Sequence, residues 1–91
     1  MRPSILLVDD EARLGEVVAA ALEARDFDTQ FASSVGEALA IVHSERVDVI
    51  VTDMRMPGQG GRELLAAIKR ERPELPVIIM TAPVLDRKSV V

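Results

Sequence analysis

The chain has no cysteine, no tryptophan and no tyrosine. Without cysteine there are no disulfides and no thiolate-ligated zinc or iron–sulfur centres. A single histidine, His43, cannot build a multi-histidine metal site. Phe27 and Phe31 are the only aromatics, so there is no platform on which the bases of a single strand would stack. Positive charge is scarce as well: 11 Lys and Arg stand against 15 Asp and Glu, a formal net charge of -4. Direct nucleic-acid binding normally needs a basic face. No apolar run approaches the length of a membrane span. The apolar run in "MRPSILLVDDE" is too short for the core of a secretory signal. The expectation is a cytoplasmic chain with no direct contact to nucleic acid or membrane.

What is present is aliphatic. Hydrophobic residues make up 48% of the 91 residues, enough for a core in one small domain. The pattern alternates between two periods. "SILLV" (residues 4–8) is short, apolar and closed by acids, as in a strand buried on both faces. From Glu11 to Arg25, Leu14, Val17, Val18, Ala21 and Leu22 recur at helical spacing. "FDTQFA" (27–32) alternates, as in a strand nearer an edge. Ser34 and Glu37 form a capping-box pattern ahead of a second helix carrying Val35, Ala38, Leu39 and Val42. "VDVIVT" (47–52) is a third strand. "PGQGG" is a turn, and Leu64, Leu65 and Ile68 mark a third helix to about Arg72. "PELP" (73–76) breaks it, and "VIIMT" (77–81) reads as a fourth, central strand covered on both faces. The order β-α-β-α-β-α-β predicts an α/β, flavodoxin-like, doubly wound parallel sheet. It is incomplete unless another chain supplies the rest, because the last ten residues, "APVLDRKSVV", fit no clean element. They either start a fourth helix or form an unstructured tail. An open strand edge left in this way invites pairing, so a homodimer or domain-swapped oligomer through the fourth strand is expected.

Three acids then demand a reason. Asp9 and Asp10 follow the first strand, and Asp53 ends the third. In the flavodoxin-like order 2-1-3-4-5, strands 1 and 3 are neighbours at the switch point where ligands bind. Adjacent strands lie about 4.8 Å apart, so three carboxylates share one cleft. Crowded carboxylates repel unless a cation is present. All-oxygen ligation suits Mg²⁺ or Mn²⁺. An aspartate beside such an ion can act as a nucleophile toward a phosphoryl group. Thr81 ends the fourth strand on the same edge, where its hydroxyl can donate to a phosphoryl oxygen. Met54, Met56 and Met80 read as packing residues, and His43 as a surface residue of a helix's last turn.

The motifs "ILLVDDE", "VTDMRMPG" and "VIIMTA", in this order and spacing, resemble the receiver domain of two-component response regulators. The resemblance covers Ile5 to about Ala82, a partial receiver over residues 1–82, and leaves 83–91 as an unmatched tail. It implies that Asp53 is the phosphoacceptor and a metal ligand, and that Asp10 ligates Mg²⁺ directly. Asp9 then assists through water or orientation, and the backbone carbonyl of Arg55 adds a metal ligand. Thr81 contacts the phosphoryl group, and Ala82 leaves room beside it. Met56, Pro57 and Gly58 shape the loop, and Gly61 admits the turn into the third helix. The donor it implies is a histidine kinase or a histidine phosphotransfer protein. The family pattern continues with a further helix, a fifth strand bearing a lysine, and a last helix. Lys88 lies only seven residues past Thr81, too near to take that lysine's role. Three functions follow: a phosphoacceptor domain regulating an output such as transcription, a truncated interaction module without turnover, and a Mg²⁺-dependent phosphohydrolase. The last is disfavoured by Arg55, which stands where a general acid would. Whether the chain acts as an enzyme, beyond promoting its own phosphorylation, is left open by the sequence.

Overall fold

A computed structural model of the chain describes residues 2–53 and 60–80. Strands and helices alternate: β1 (Ser4–Val8), α1 (Ala12–Glu23), β2 (Asp28–Ala32), α2 (Val35–Ser44), β3 (Val49–Asp53), α3 (Gly61–Glu71) and β4 (Val77–Met80). The strands form one parallel sheet in the order β2-β1-β3-β4. This is the α/β flavodoxin-like arrangement that the alternation predicts. β1 lies between two strands, and all five of its residues are buried, which explains why "SILLV" carries no alternation. β2 lies at the edge, as its mixed pattern requires.

Period two divides each strand's side chains between the two faces of the sheet. Leu6, Val8 and Ile50 pack on one face against Val35, Ala38 and Val42 of α2 and Leu64 and Ile68 of α3. α1 packs over β1 and β2 on the other. Burial of Leu6, Ile50, Leu64 and Ile68 is complete. Each such side chain contributes roughly 1.5–3 kcal/mol of transfer free energy.

The start of α2 is capped as its sequence predicts, with one change. Ser34 Oγ accepts the Glu37 N–H at 3.1 Å. The Glu37 carboxylate reaches one residue further back than a capping box requires, accepting the Ser33 N–H at 2.7 Å and the Ser33 hydroxyl at 3.0 Å. These bonds hold the exposed Glu37 carboxyl below its ordinary value, the backbone N–H first and the hydroxyl second.

Two expectations shift. β3 begins at Val49 rather than Val47, because Asp48 is engaged sideways: its N–H donates to the Ser4 carbonyl at 2.8 Å and its carboxylate accepts the Ser4 N–H at 2.7 Å. The strand ends on Asp53, as expected. For "VIIM", read as covered on both faces, the described residues show cover on one face only. Among the described residues β4 closes one end of the sheet, and Ile78 is 55% exposed. The physical reason is sidedness. Val77 faces the α2/α3 core, whereas Ile78 is in register with Val51 on the opposite face. The sequence-predicted tail at 83–91 lies outside the described residues.

Candidate functional site

Parallel register brings the acids together. Val8 pairs with Thr52, so Asp9, the next residue of the first chain segment, stands level with Asp53, the next of the second. Asp10 follows at the start of the turn into α1. Each of the three side chains offers a carboxylate oxygen, and these oxygens lie within 4.8 Å of one another. The environments differ: Asp9 is buried, Asp53 half-buried and Asp10 exposed. Asp53 ends β3 and Asp9 directly follows β1, so the sheet positions these two acids, and the first turn after β1 adds Asp10.

Asp9 is anchored from two sides. Its backbone N–H donates to the Ala32 carbonyl at 3.0 Å, which ties the end of β1 to the end of β2. Its carboxylate accepts the Glu11 N–H at 2.9 Å. Burial pushes the Asp9 carboxyl above its ordinary value; the Glu11 N–H opposes the shift, and a hydrogen bond with Asp10 and the charges of Asp53 and Asp10 add to it. A buried carboxylate facing two others is under electrostatic load that a hard cation relieves. The donor set is all oxygen, with no imidazole or thiolate in the group, which fits Mg²⁺ or Mn²⁺ and disfavours softer metals.

Of the residues the sequence singles out, the structure converges Asp9, Asp10 and Asp53. Gly61 is buried as the first residue of α3. The Glu63 carboxylate accepts the Gly60 N–H at 2.6 Å and closes the first turn of that helix. Thr81 and the backbone carbonyl of Arg55 lie outside the described residues, as do Met54, Met56, Pro57, Gly58, Ala82 and Lys88. His43 is exposed and bonds Glu71 across the α2–α3 seam, away from any of the three acids. Two contributors escaped the sequence reading. The Glu11 N–H is one; a backbone donor leaves no trace in side-chain identity. Thr52 is the other. Its signal is visible, a lone hydroxyl in the apolar run "VIVTD", but it reads as an ordinary strand residue.

With this geometry in view, comparison with known proteins is specific. Residues 5–89 match the family model described as response regulator receiver domain. The transcriptional regulatory protein GlrR of Escherichia coli is 36% identical over 78 residues, which are 86% of this chain and 18% of GlrR. The chain thus spans less than a fifth of that relative. The response regulator TrrA of Thermotoga maritima, crystallised in complex with Mg²⁺ and BeF, superposes with a TM-score of 0.85 at 29% identity, covering 94% of this chain and 75% of that one. A structure of the histidine kinase ThkA in complex with TrrA matches with a TM-score of 0.83 at 30% identity, covering 88% of this chain and 69% of that one. A parallel sheet in this order, three acids at its switch point and a family match along most of its length lead to one conclusion: the chain belongs to the response regulator receiver domain family of two-component signalling.

Proposed function

We propose that this chain accepts a phosphoryl group on Asp53 from a phosphohistidine donor, in a reaction that depends on Mg²⁺. The observation that carries the reading is the convergence of Asp9, Asp10 and Asp53 with oxygens within 4.8 Å of one another. A carboxylate oxygen of Asp53 attacks the donor phosphorus. An O–P bond forms, the P–N bond breaks, and its electron pair returns to the imidazole nitrogen. Asp9, Asp10 and Asp53 would hold the cation, with the Arg55 carbonyl as a further ligand, and Thr81 would donate to a phosphoryl oxygen. When bound, Mg²⁺ supplies Lewis-acid neutralisation of charge on the phosphoryl oxygens. The TrrA complex with Mg²⁺ and BeF supports this assignment of the cation. The ThkA–TrrA complex supports a histidine kinase as partner. That GlrR is a transcriptional regulatory protein supports a transcriptional output for a longer protein that contains such a domain. A net charge of -4 speaks against direct contact with nucleic acid, and among the described residues no helix is long and apolar enough to cross a membrane. The reading places the chain in the cytoplasm.

The test is direct. Incubation with Mg²⁺ and acetyl phosphate is expected to add one phosphoryl group, seen by intact-mass spectrometry, and Asp53→Asn or chelation of the metal is expected to abolish it. An unmodified wild-type chain that still binds Mg²⁺ would instead favour an interaction module without turnover. One observation gives that second reading weight: β4 ends the described sheet with Ile78 55% exposed, a surface suited to pairing with a second copy. Its oligomeric consequence is measurable by light scattering.

A further inference from the structure

We propose that the Thr52 hydroxyl is a positioning group for the acceptor, holding the backbone of Asp53 from the buried side of the sheet. The inference rests on the reading of Asp53 as phosphoacceptor. Thr52 has 0% exposure. Its neighbours in register are Val8 on β1 and Ile79 on β4. Its side chain falls on the same face as Ile50, two residues back, where the core of α2 and α3 packs. A valine has almost the same shape and would carry no polar atom into this layer. Packing alone therefore does not account for the hydroxyl.

A buried hydroxyl must find a partner or forfeit its solvation. Thr52 Oγ1 donates to the backbone carbonyl of Asp53 at 3.0 Å. That carbonyl belongs to the peptide leaving the acceptor residue. Fixing the position of this carbonyl relative to residue 52 restricts both φ and ψ of Asp53, and φ sets the direction from which the acceptor side chain leaves the backbone toward Asp9 and Asp10. Asp53 is also the last residue of β3, in register with Met80. Thr52 supplies a tether at the last residue of that strand. Its role is exerted through the Asp53 backbone.

The experiment compares the whole chain with Thr52→Val and Thr52→Ser. Uptake of Mg²⁺ with beryllofluoride is followed by fluorine NMR, and stability by urea unfolding. Valine keeps the packing and loses the tether; serine keeps the tether and leaves a methyl-sized void. Thr52→Val is expected to weaken uptake roughly tenfold, the worth of one well-formed hydrogen bond, while Thr52→Ser stays within about twofold of wild type. In urea the order is expected to reverse, with serine the less stable of the two. Equal uptake by Thr52→Val and wild type overturns the positioning role, and so does uptake that simply follows stability. A wild-type chain that takes up no beryllofluoride overturns the acceptor reading itself and removes the role of Thr52 with it; uptake by wild type confines any failure to Thr52.

Discussion

Asp9 is the most buried of the three clustered acids, and its carboxyl is pushed up by burial first. The linkage has a definite sign. A carboxyl whose folded value lies above its unfolded one favours folding only while protonated. Its contribution is complete below the ordinary carboxylate value of about 4 and is lost as pH rises through the raised one. Glu37 and Glu74 are shifted downward, by the Ser33 N–H and by Arg72 respectively. They act in the opposite sense, with stability present above the ordinary value and lost as pH falls through the lowered one. The effect of Asp9 is therefore read as a difference between wild type and Asp9→Asn. Without metal, the stability gain of Asp9→Asn over wild type is expected to grow as pH rises from about 4 to 7. Mg²⁺ at a hundred times its dissociation constant is expected to add about 2.7 kcal/mol to the wild-type chain, and much less to the variant. Urea unfolding with and without the ion measures both. A wild-type stability indifferent to Mg²⁺ would sink the metal assignment.

Among the elements, the α1–β2 contact shows what pattern reading leaves out. Gly15 interrupts an otherwise good helix, and propensity alone would replace it. A Cβ there would stand 2.3 Å from Cε1 and 2.6 Å from Cδ1 of Phe31. The glycine is present because a β2 side chain lies against the helix backbone. Gly15→Ala is expected to destabilise by roughly 1–2 kcal/mol despite a helix-propensity gain of about 1 kcal/mol, since the ring must move. Adding Phe31→Leu is expected to recover most of the loss, a coupling that a double-mutant cycle in urea detects. Additive effects would show that the ring is not the obstacle. This pair of residues also marks the limit of what was legible. β1, α2 and α3 were readable because period and caps are local properties: "SILLV", Ser34 with Glu37, and Leu64 with Ile68. Gly15 against Phe31, the sideways bonds between Asp48 and Ser4, and the Thr52 tether join atoms that the sequence separates or does not distinguish. The three acids of the cleft were legible for a different reason. Each ends or follows a recognisable strand, and the strand order then placed them side by side.

At the scale of the molecule, β4 stands at one end of the sheet among the described residues, and we propose that association runs through it. β4 offers "VIIM", free of charge and of proline within the strand, with Pro76 just before it. Native edges are ordinarily protected by charge, bulges or cover. Val51 is half-buried and Ile78 more than half exposed on the face away from α2 and α3. An antiparallel pairing of β4 with β4 of a second copy is self-complementary and closes under two-fold symmetry, so it stops at a dimer rather than growing. It would extend the hydrogen-bonded sheet and bring the two Ile78 side chains close together. Net charge opposes it, since each copy carries -4, and so association should strengthen with salt as repulsion is screened. The expected outcome is a light-scattering mass that doubles with concentration, more readily at high ionic strength. Ile78→Lys places a charge on the edge and is expected to keep the chain monomeric, while changing the stability of the monomer by less than about 0.5 kcal/mol, as exposed substitutions do. A wild-type mass that stays monomeric at every concentration and salt level would rule out pairing through β4.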